Sequence, residues 1–186
     1  MSVFSTCPHC ADTAPTRRSV ITGLAAAAVV PAAAAPAAAA SSDVDERFMR
    51  IAIAEARRAD YPFGAVIVRD GKSLASGRNL GRTTDDPTAH GEMVAIRRAL
   101  ARHGSKALKD ATIYTSGEPC AMCMGAILWC GFGRMVFAAS VEQLATRINQ
   151  IMISSADLAA KAPYAPISIT GGVLADEAMK LFGPPR

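Results

Sequence analysis

The fold is decided by residues 112–138, which read TIYTSGEPCAMCMGAILWCGFGRMVFA. The run at 112–115 is rich in β-branched and aromatic residues and predicts a strand. Pro119 favours the first turn of a helix, which predicts a helix over 120–130. A second strand-like run follows at 135–138. Because a strand–helix–strand crossover favours parallel pairing, this stretch predicts the parallel part of a sheet.

The segments on either side continue the alternation of helices and strands. On the N-terminal side the pattern predicts a helix from Ser42 or Asp43 to about residue 59, a hairpin of strands 65–68 and 74–76 that turns at Asp70-Gly71, and a helix over 90–103. On the C-terminal side it predicts a helix over 141–148, a loop with two prolines, a strand at 167–170 and a helix capped by Asp176. This order predicts an α/β domain in which helices cover a mixed sheet.

Length and composition agree with one folded domain. The chain has 186 residues, 51% of them hydrophobic, and its mean hydropathy of +0.21 reflects an alanine tract within residues 25–40. Beyond that tract, no apolar run approaches the roughly 20 residues that a membrane-spanning helix needs. Apolar residues recur with helix and strand periods, which excludes a disordered chain, and no internal repeat indicates a solenoid.

Residues 1–40 have the features of an export signal. Arg17 and Arg18 precede a short uncharged apolar segment and a run of small residues. The paired arginines resemble a twin-arginine signal, which predicts export to the periplasm without a stable membrane anchor. The alternative is a low-complexity tail with two chance arginines. Cys7-Pro8-His9-Cys10 has redox spacing but no strand–helix frame, so we interpret it as incidental. Residues 41–186 form the predicted functional domain.

Two short motifs carry the chemistry, and each lies where a predicted helix begins: His90-Gly91-Glu92 and Pro119-Cys120-Ala121-Met122-Cys123. Cysteines three residues apart lie on one helical face, so both thiolates can bind one ion. The unpaired N–H groups of a helix start favour anions and are expected to lower the thiol pKa values. One imidazole and two thiolates provide three zinc ligands and leave the fourth position to water, as in a catalytic zinc site.

Glu92 follows the histidine by two residues and is the candidate proton carrier. Zinc lowers the pKa of water, but a leaving group must still receive a proton. A carboxylate at this position can take a proton from the water and pass it to a departing amine. We therefore predict a zinc ion held by His90, Cys120 and Cys123, with Glu92 as the catalytic acid and base.

Each motif on its own has a simpler interpretation. Cys120 and Cys123 could form a thiol–disulfide pair, particularly in an exported protein, and His90 alone could be a buried structural histidine. A zinc-binding module without catalysis is a further alternative. Cys130 lies outside the pattern and is expected to pack as a small apolar residue, and His103 is expected at the surface or at a helix end. The conjunction of both motifs at two helix starts favours the metal site.

Together the motifs form the signature His-x-Glu followed by Pro-Cys-x-x-Cys, and the chain resembles the cytidine-deaminase-like superfamily of zinc hydrolases over about residues 43–182. Residues 62–68, 86–90 and 118–127 are similar to the branch of guanine deaminases and tRNA adenosine deaminases. The resemblance implies a three-layer α/β/α sandwich with a five-stranded mixed sheet, commonly assembled as a homodimer. It also implies a hydrolase acting on the C–N bond of a cyclic amidine, which releases ammonia from a nucleobase or nucleoside, with a guanine-type purine favoured.

The resemblance also implies roles for single residues. Asn79 matches an asparagine that binds the base in this branch, although an asparagine at this point is equally typical of a turn. Trp129 resembles an aromatic residue of guanine deaminases but is expected to pack in the core. Gln143 stands where guanine deaminases have an acidic residue, and fungal-type cytosine deaminases share Gly91. Cytosine-type deamination and tRNA adenosine deamination are therefore alternatives.

A nucleic-acid partner is not expected from the charge of the predicted domain. Without residues 1–40 the chain has 18 basic and 15 acidic residues, a net charge of +3. A tRNA partner normally requires a pronounced basic face. Export from the cytoplasm also argues against tRNA, so the expected partner is a small-molecule base or nucleoside.

Overall fold

The computed structural model describes residues 42–184. The predicted export signal, the boundary between residues 40 and 41, and Cys7 and Cys10 lie outside these residues. None of the helices between residues 42 and 184 combines the length and the apolar character needed to cross a membrane. In chain order the elements are α1 (Asp43–Ala56), β1 (Gly64–Arg69), β2 (Lys72–Arg78), α2 (Gly91–His103), a 3-10 turn (Ser105–Ala107), β3 (Thr112–Gly117), α3 (Ala121–Cys130), β4 (Arg134–Ala139), α4 (Val141–Ala145), α5 (Ser155–Ala160), β5 (Ser168–Thr170) and α6 (Ala175–Met179).

Within residues 42–184, five strands form one mixed sheet in the order β2-β1-β3-β4-β5. β1 pairs antiparallel with β2 and with β3, whereas β3, β4 and β5 are parallel. The β1–β2 hairpin turns at Asp70 and Gly71, whose φ angles are 51° and 71°. Two successive positive φ angles match the twist of a two-residue hairpin, which explains the Asp-Gly pair there. The predicted mixed sheet, with its parallel crossover through α3, is confirmed.

Two apolar cores lie on opposite faces of the sheet. Along β1, Ala65 and Ile67 belong to the core that contains α2 and α3, and the alternate residues Val66 and Val68 belong to the core that contains α1 and α6. This alternation follows from the two-residue period of a strand. Because each face of the sheet is covered by helices, the predicted three-layer α/β/α sandwich is confirmed.

The C-terminal elements differ from the prediction. α4 ends at Ala145 rather than at residue 148, and the unpredicted α5 follows at 155–160. α5 is too short to show a helical period, and it begins where the Ser154 hydroxyl accepts the N–H of Asp157. α6 does not begin at a capping Asp176. Its N-cap is Leu174 in the left-handed conformation, and Asp176 lies in the first turn, where a carboxylate is favoured by the helix dipole.

Candidate active site

The site lies at one edge of the sheet, where several strand ends meet. β3 and β4 are parallel and end side by side, with Gly117 paired to Ala139. Because β1 runs antiparallel to both of its neighbours, its first residue Gly64 lies at the same edge, paired to Arg78 at the end of β2. Ligand sites in open α/β sheets lie outside the carboxyl ends of parallel strands. The residues that flank these strand ends are Phe63, Asn79, Glu118 and Ser140.

The structure brings the three predicted metal ligands together. The Nδ1 atom of His90 lies 3.7 Å from Sγ of Cys120 and 3.6 Å from Sγ of Cys123, and the three ligand atoms lie within 4.8 Å of one another. His90 is the N-cap residue of α2, and Cys120 is the N-cap residue of α3. Neither side chain bonds to its own helix start, so each can face a shared ion.

These distances fit a tetrahedral zinc site. Zinc binds sulfur at about 2.3 Å and imidazole nitrogen at about 2.0–2.1 Å, which at the tetrahedral angle separates nitrogen from sulfur by about 3.6 Å. The two measured separations agree with this value. Among residues 42–184, no fourth histidine, cysteine or carboxylate joins the cluster. The donor set and its spacing therefore fit zinc with an open coordination position.

Hydrogen bonding within the cluster shifts the pKa values of the two thiols in opposite directions. A bond from Cys123 lowers the pKa of Cys120 to about 4, and the same bond, together with burial, raises the pKa of Cys123. The bond between His90 and Cys120 raises the pKa of the imidazole. The expected lowering of the thiol pKa is therefore found for Cys120, whereas the bond to Cys120 and burial raise the pKa of Cys123.

Glu92 lies in the first turn of α2 and is only 4% exposed. Burial raises the pKa of its carboxyl group to about 7. The carboxyl group also interacts with Cys123, so it lies beside the ligand cluster. A group that titrates near neutral pH can both accept and donate a proton there, as the predicted acid–base role requires.

A cavity of about 410 Å³ opens onto this cluster. Its size falls in the range of small-molecule sites. It is lined by two aromatic residues, by the polar and ligand residues, and by one continuous run of chain: Tyr61, Phe63, His90, Glu92, Glu118, Cys120 and 148–151. The sequence motifs did not indicate Glu118, the aromatic pair or the 148–151 run. The only feature of the sequence that points to Glu118 as a site residue is its position immediately before Pro119-Cys120.

Two glycines allow α2 to begin directly on the sheet. A Cβ atom on Gly77 of β2 would overlap the carbonyl oxygen of Gly91 and the amide nitrogen of Ala95. A Cβ atom on Gly91 would lie 2.9 Å from the carbonyl oxygen of Phe63, closer than real Cβ contacts. This close approach sets the position of the first turn of α2, and with it the positions of His90 and Glu92.

Asn79 lies beside the cluster but outside the 410 Å³ cavity. It is 4% exposed, and its Oδ1 accepts the N–H of Gly81 at 3.0 Å, which is a turn-forming contact. It also lines a neighbouring cavity of about 440 Å³ that shares Tyr61 and His90 with the first. The turn role is therefore present, and a base-binding role stays a prediction.

Other candidate residues lie away from the cavity. The expectation that Trp129 packs in the core is wrong: it is 78% exposed and contacts the ring of Tyr164, with centroids 5.2 Å apart. The inner face of α3 is occupied by other apolar side chains, so Trp129 faces outward. Cys130 is half-buried against the core, as expected. His103 is exposed at the end of α2, and Gln143 accepts the N–H of Ser140 in a capping box.

Comparison with known proteins assigns the family. Residues 42–139 match the family described as the cytidine and deoxycytidylate deaminase zinc-binding region. The chain is 51% identical over 78 residues to the guanine deaminase of Bacillus subtilis, covering 42% of this chain and 50% of that protein. It therefore spans about half the length of that relative. It is 33% identical over 148 residues to the probable cytosine deaminase of Schizosaccharomyces pombe, covering 74% and 90% of the two chains.

A solved structure gives the same result. It comes from work on A-to-I editing by tRNA:A34 deaminases at the wobble position of transfer RNA. The TM-score is 0.64 at 30% sequence identity, over 73% of this chain and 99% of the other. The matched range 42–139 contains the ligand cluster and Glu92. This chain is therefore a member of the cytidine and deoxycytidylate deaminase family.

Proposed function

We propose that this protein is a zinc-dependent hydrolytic deaminase of a free nucleobase or a nucleoside, with a guanine-type purine favoured. The observation that carries the proposal is the buried Glu92 carboxyl group beside the three-ligand cluster, on the wall of a cavity of about 410 Å³. Membership of the family supports the reaction class. The identity to the Bacillus subtilis guanine deaminase supports the purine substrate.

The residues of the site have separate tasks in this reaction. His90, Cys120 and Cys123 would hold the zinc, and the chemistry that zinc supplies at such a site is the activation of water as a nucleophile near neutral pH. Glu92 accepts a proton from the attacking water and later donates it to the departing amino group. The second proton of the water passes to the adjacent ring nitrogen, so that the ring carbon gains a C=O bond, its C–N bond breaks, and ammonia leaves.

Aromatic residues support the binding of a flat heterocycle. Phe63 and Tyr61 line the cavity, and Phe63 is held edge-on by Phe182 at a centroid distance of 5.3 Å. Stacking of a base on an aromatic ring is worth about 1–3 kcal/mol. Asn79 lines the neighbouring cavity that shares Tyr61 and His90. It is the proposed polar contact to a base that extends to this side, because an amide side chain offers both donors and acceptors.

Cytosine-type deamination is the second candidate. It is supported by the Schizosaccharomyces pombe relative, of which this chain covers 90%. Deamination of adenosine in tRNA is the third, because of the structural likeness to tRNA:A34 deaminase work. The net charge of +3 over residues 41–186 argues against a tRNA partner.

The deciding experiment measures ammonia release from guanine, adenine, cytosine, their nucleosides and a tRNA anticodon stem, with zinc quantified on the same sample. We expect guanine to turn over fastest, with one zinc per chain. Turnover of cytosine alone would select the second candidate. Full zinc without any ammonia would indicate a non-catalytic zinc module. Substoichiometric zinc with reversible oxidation of Cys120 and Cys123 would indicate a thiol–disulfide protein.

We also propose a homodimer. The outer surface of α3 supports it, because Met122 and Trp129 are 37% and 78% exposed and are seven residues apart, on one face of the helix. Exposed apolar side chains that lie together are typical of protein–protein contacts. Sedimentation analysis of the wild type and of Trp129→Glu tests this assignment. We expect a dimer that the substitution dissociates, and a monomeric wild type would contradict it.

Export through a twin-arginine signal is likewise proposed from the sequence. Changing Arg17 and Arg18 together to lysine should leave the protein in the cytoplasm, which cell fractionation measures. The matched control changes the adjacent pair Arg57 and Arg58 to lysine, and this variant should be exported normally. Normal export of the first variant would remove the twin-arginine assignment.

A further inference from the structure

Glu118 is a buried carboxylate to which the reaction assigns no task. It follows β3 directly and stands two residues before the ligand Cys120. It is 6% exposed and lines the cavity that contains Glu92. A buried charge is costly unless it is paired or hydrogen-bonded, so the partners of this carboxylate indicate what it does.

Both oxygens of Glu118 accept backbone hydrogen bonds from helix starts. Oε2 accepts the N–H of Val141 at 2.9 Å, and Oε1 accepts the N–H of Ser155 at 2.7 Å. Val141 is the first residue of α4, and Ser155 is the first residue of α5. The first N–H groups of a helix have no partner within the helix, and a carboxylate there is favoured by the helix dipole. One side chain therefore fixes the starts of two helices.

Strand pairing explains why Glu118 reaches α4. Because β3 and β4 are parallel and end together, the N–H of Glu118 donates to the carbonyl of Ala139 at 2.7 Å. α4 begins two residues after Ala139. The Glu118 side chain therefore lies beside the first turn of α4. Its Oε1 atom accepts the N–H of Ser155 at the start of α5.

The chain between these two helices forms part of the cavity wall. We refer to residues 146–154, which connect α4 to α5, as the wall segment. Its residues 148–151 line the cavity together with His90, Glu92 and Cys120. α4 leads into the wall segment and α5 follows it, and the starts of both helices bond to the same carboxylate.

We propose that Glu118 is a positioning residue that fixes the distance between the wall segment and the ligand cluster. At this distance the wall segment contacts the substrate. The contact with substrate rests on the proposed function, whereas the anchoring does not. Because the bonds of Glu118 go to backbone N–H groups, the contribution of this residue is the placement of the wall rather than a proton. Loss of one bond should loosen the wall and weaken substrate binding more than it slows the chemical step.

The test uses two variants that break the anchor from opposite sides in the full-length, zinc-loaded protein. Glu118→Gln replaces one acceptor oxygen by an NH2 group. Ser155→Pro removes the donor N–H instead. Proline is well suited to the first position of a helix, and the extended backbone of Ser154, with φ −69° and ψ 154°, is compatible with a following proline.

Each variant has a matched control. Glu142→Gln makes the same chemical change at an exposed position in the first turn of α4. Ser155→Ala keeps the N–H and removes only a buried hydroxyl that has no hydrogen-bond partner. Both controls should behave as the wild type, so a change seen in the two test variants alone reports on the anchor.

Hydrogen exchange of the wall-segment amides, KM, kcat and zinc content are measured for all five proteins. In Glu118→Gln and Ser155→Pro, we expect the amides of the wall segment to exchange hydrogen at least about tenfold faster than in the wild type. KM should rise about tenfold with a smaller fall in kcat, and both variants should keep their zinc. Unchanged wall exchange, or an unchanged KM in both variants, would overturn the proposal, as would faster exchange throughout the sheet. A wild type without deamination would contradict the proposed function alone, because the exchange measurement still tests the anchor.

Discussion

The environment of Glu92 follows from its place at the start of α2. An N-cap histidine and a carboxylate two residues later do not share a helical face, so the carboxyl group approaches the ligand cluster from a second direction. Its burial raises the pKa of the carboxyl group to about 7. The same short motif therefore supplies both a proposed zinc ligand and the proposed proton carrier.

Glu92→Gln should keep zinc and lose turnover. The amide has the same shape but cannot carry the proton, and loss of general acid–base catalysis typically costs about 10²–10⁴-fold in rate. The measurement is kcat for ammonia release, with zinc quantified in parallel and Glu142→Gln as the control. A Glu92→Gln protein with near-normal turnover would remove the proton-carrier role.

Cys123→Ala should lower the bound zinc well below one ion per chain. It leaves two protein ligands, whereas a catalytic zinc site uses three. Cys130→Ala is the matched control because that cysteine is half-buried on the same helix but outside the cluster, and it should retain its zinc. Metal analysis after gel filtration gives the answer, and equal zinc in both variants would contradict the assignment of the ligands.

At the scale of single residues, the sequence predicts those parts of the site that depend on the spacing of residues along one helix start. The Cys120–Cys123 pair and the His90–Glu92 pair each have a fixed separation along one helix start, and the structure brings three of these side chains together as a ligand cluster. Glu118 bonds to the starts of α4 and α5, which flank the wall segment, only because β3 and β4 pair, so no short motif indicates this contact. The expectation that Trp129 packs in the core is wrong because the sequence of an all-apolar helix does not show which of its faces packs against the sheet.

The contact between α2 and the sheet depends on the absence of side chains. Gly77→Ala should lower the free energy of unfolding by about 1–3 kcal/mol, as overpacking typically does, because the new methyl group would overlap the backbone of α2. Urea unfolding measures this. Gly125→Ala, at a site of α3 with open space around it, is the control and should be neutral or slightly stabilising. Equal stability of the two variants would show that α2 moves away without cost.

The helices with a clear apolar period are the ones that the sequence predicts most directly. α1 and α2 show a helical period, and their existence follows from apolar spacing, whereas α3 is apolar on all sides and is predicted from Pro119 at its start. α5 and α6 have only one or two turns. Short helices depend on caps and tertiary bonds rather than on their own pattern, and the start of α5 is held by Ser154 and by Glu118. Such partners are known only once the chain is folded.

At the scale of the whole molecule, one ion pair joins four elements. Asp45 of α1 accepts two hydrogen bonds from Arg134 of β4, at 2.7 and 2.8 Å. It also accepts the hydroxyl of Tyr114 of β3 at 2.9 Å, and Arg134 donates to Thr170 of β5. The bonds from Arg134 hold the pKa of Asp45 below its ordinary value. The carboxylate is buried, whereas Arg134 is about one third exposed.

This pair predicts an acid-sensitive contribution to stability. Because the pKa of Asp45 is lower in the folded state, its contribution is complete above the unfolded pKa of about 4 and is lost as pH falls through the folded value. Asp45→Asn should lower the free energy of unfolding by about 2 kcal/mol at pH 7. That difference should shrink at acidic pH, which denaturant titrations at several pH values measure. A difference that does not depend on pH would show that the ionised pair contributes nothing.

The placement of the wall segment has a consequence for divergence within the family. The proposed zinc ligands and proton carrier belong to helix starts packed on a sheet, where most replacements disturb the core. The wall segment, in contrast, is a loop, and loops accept replacement and changes of length. Under the proposed function, sequence changes in this connection would alter which heterocycle is admitted while the zinc ligands and Glu92 are inherited unchanged. Two descendants could thus share nearly every core residue and still consume different compounds.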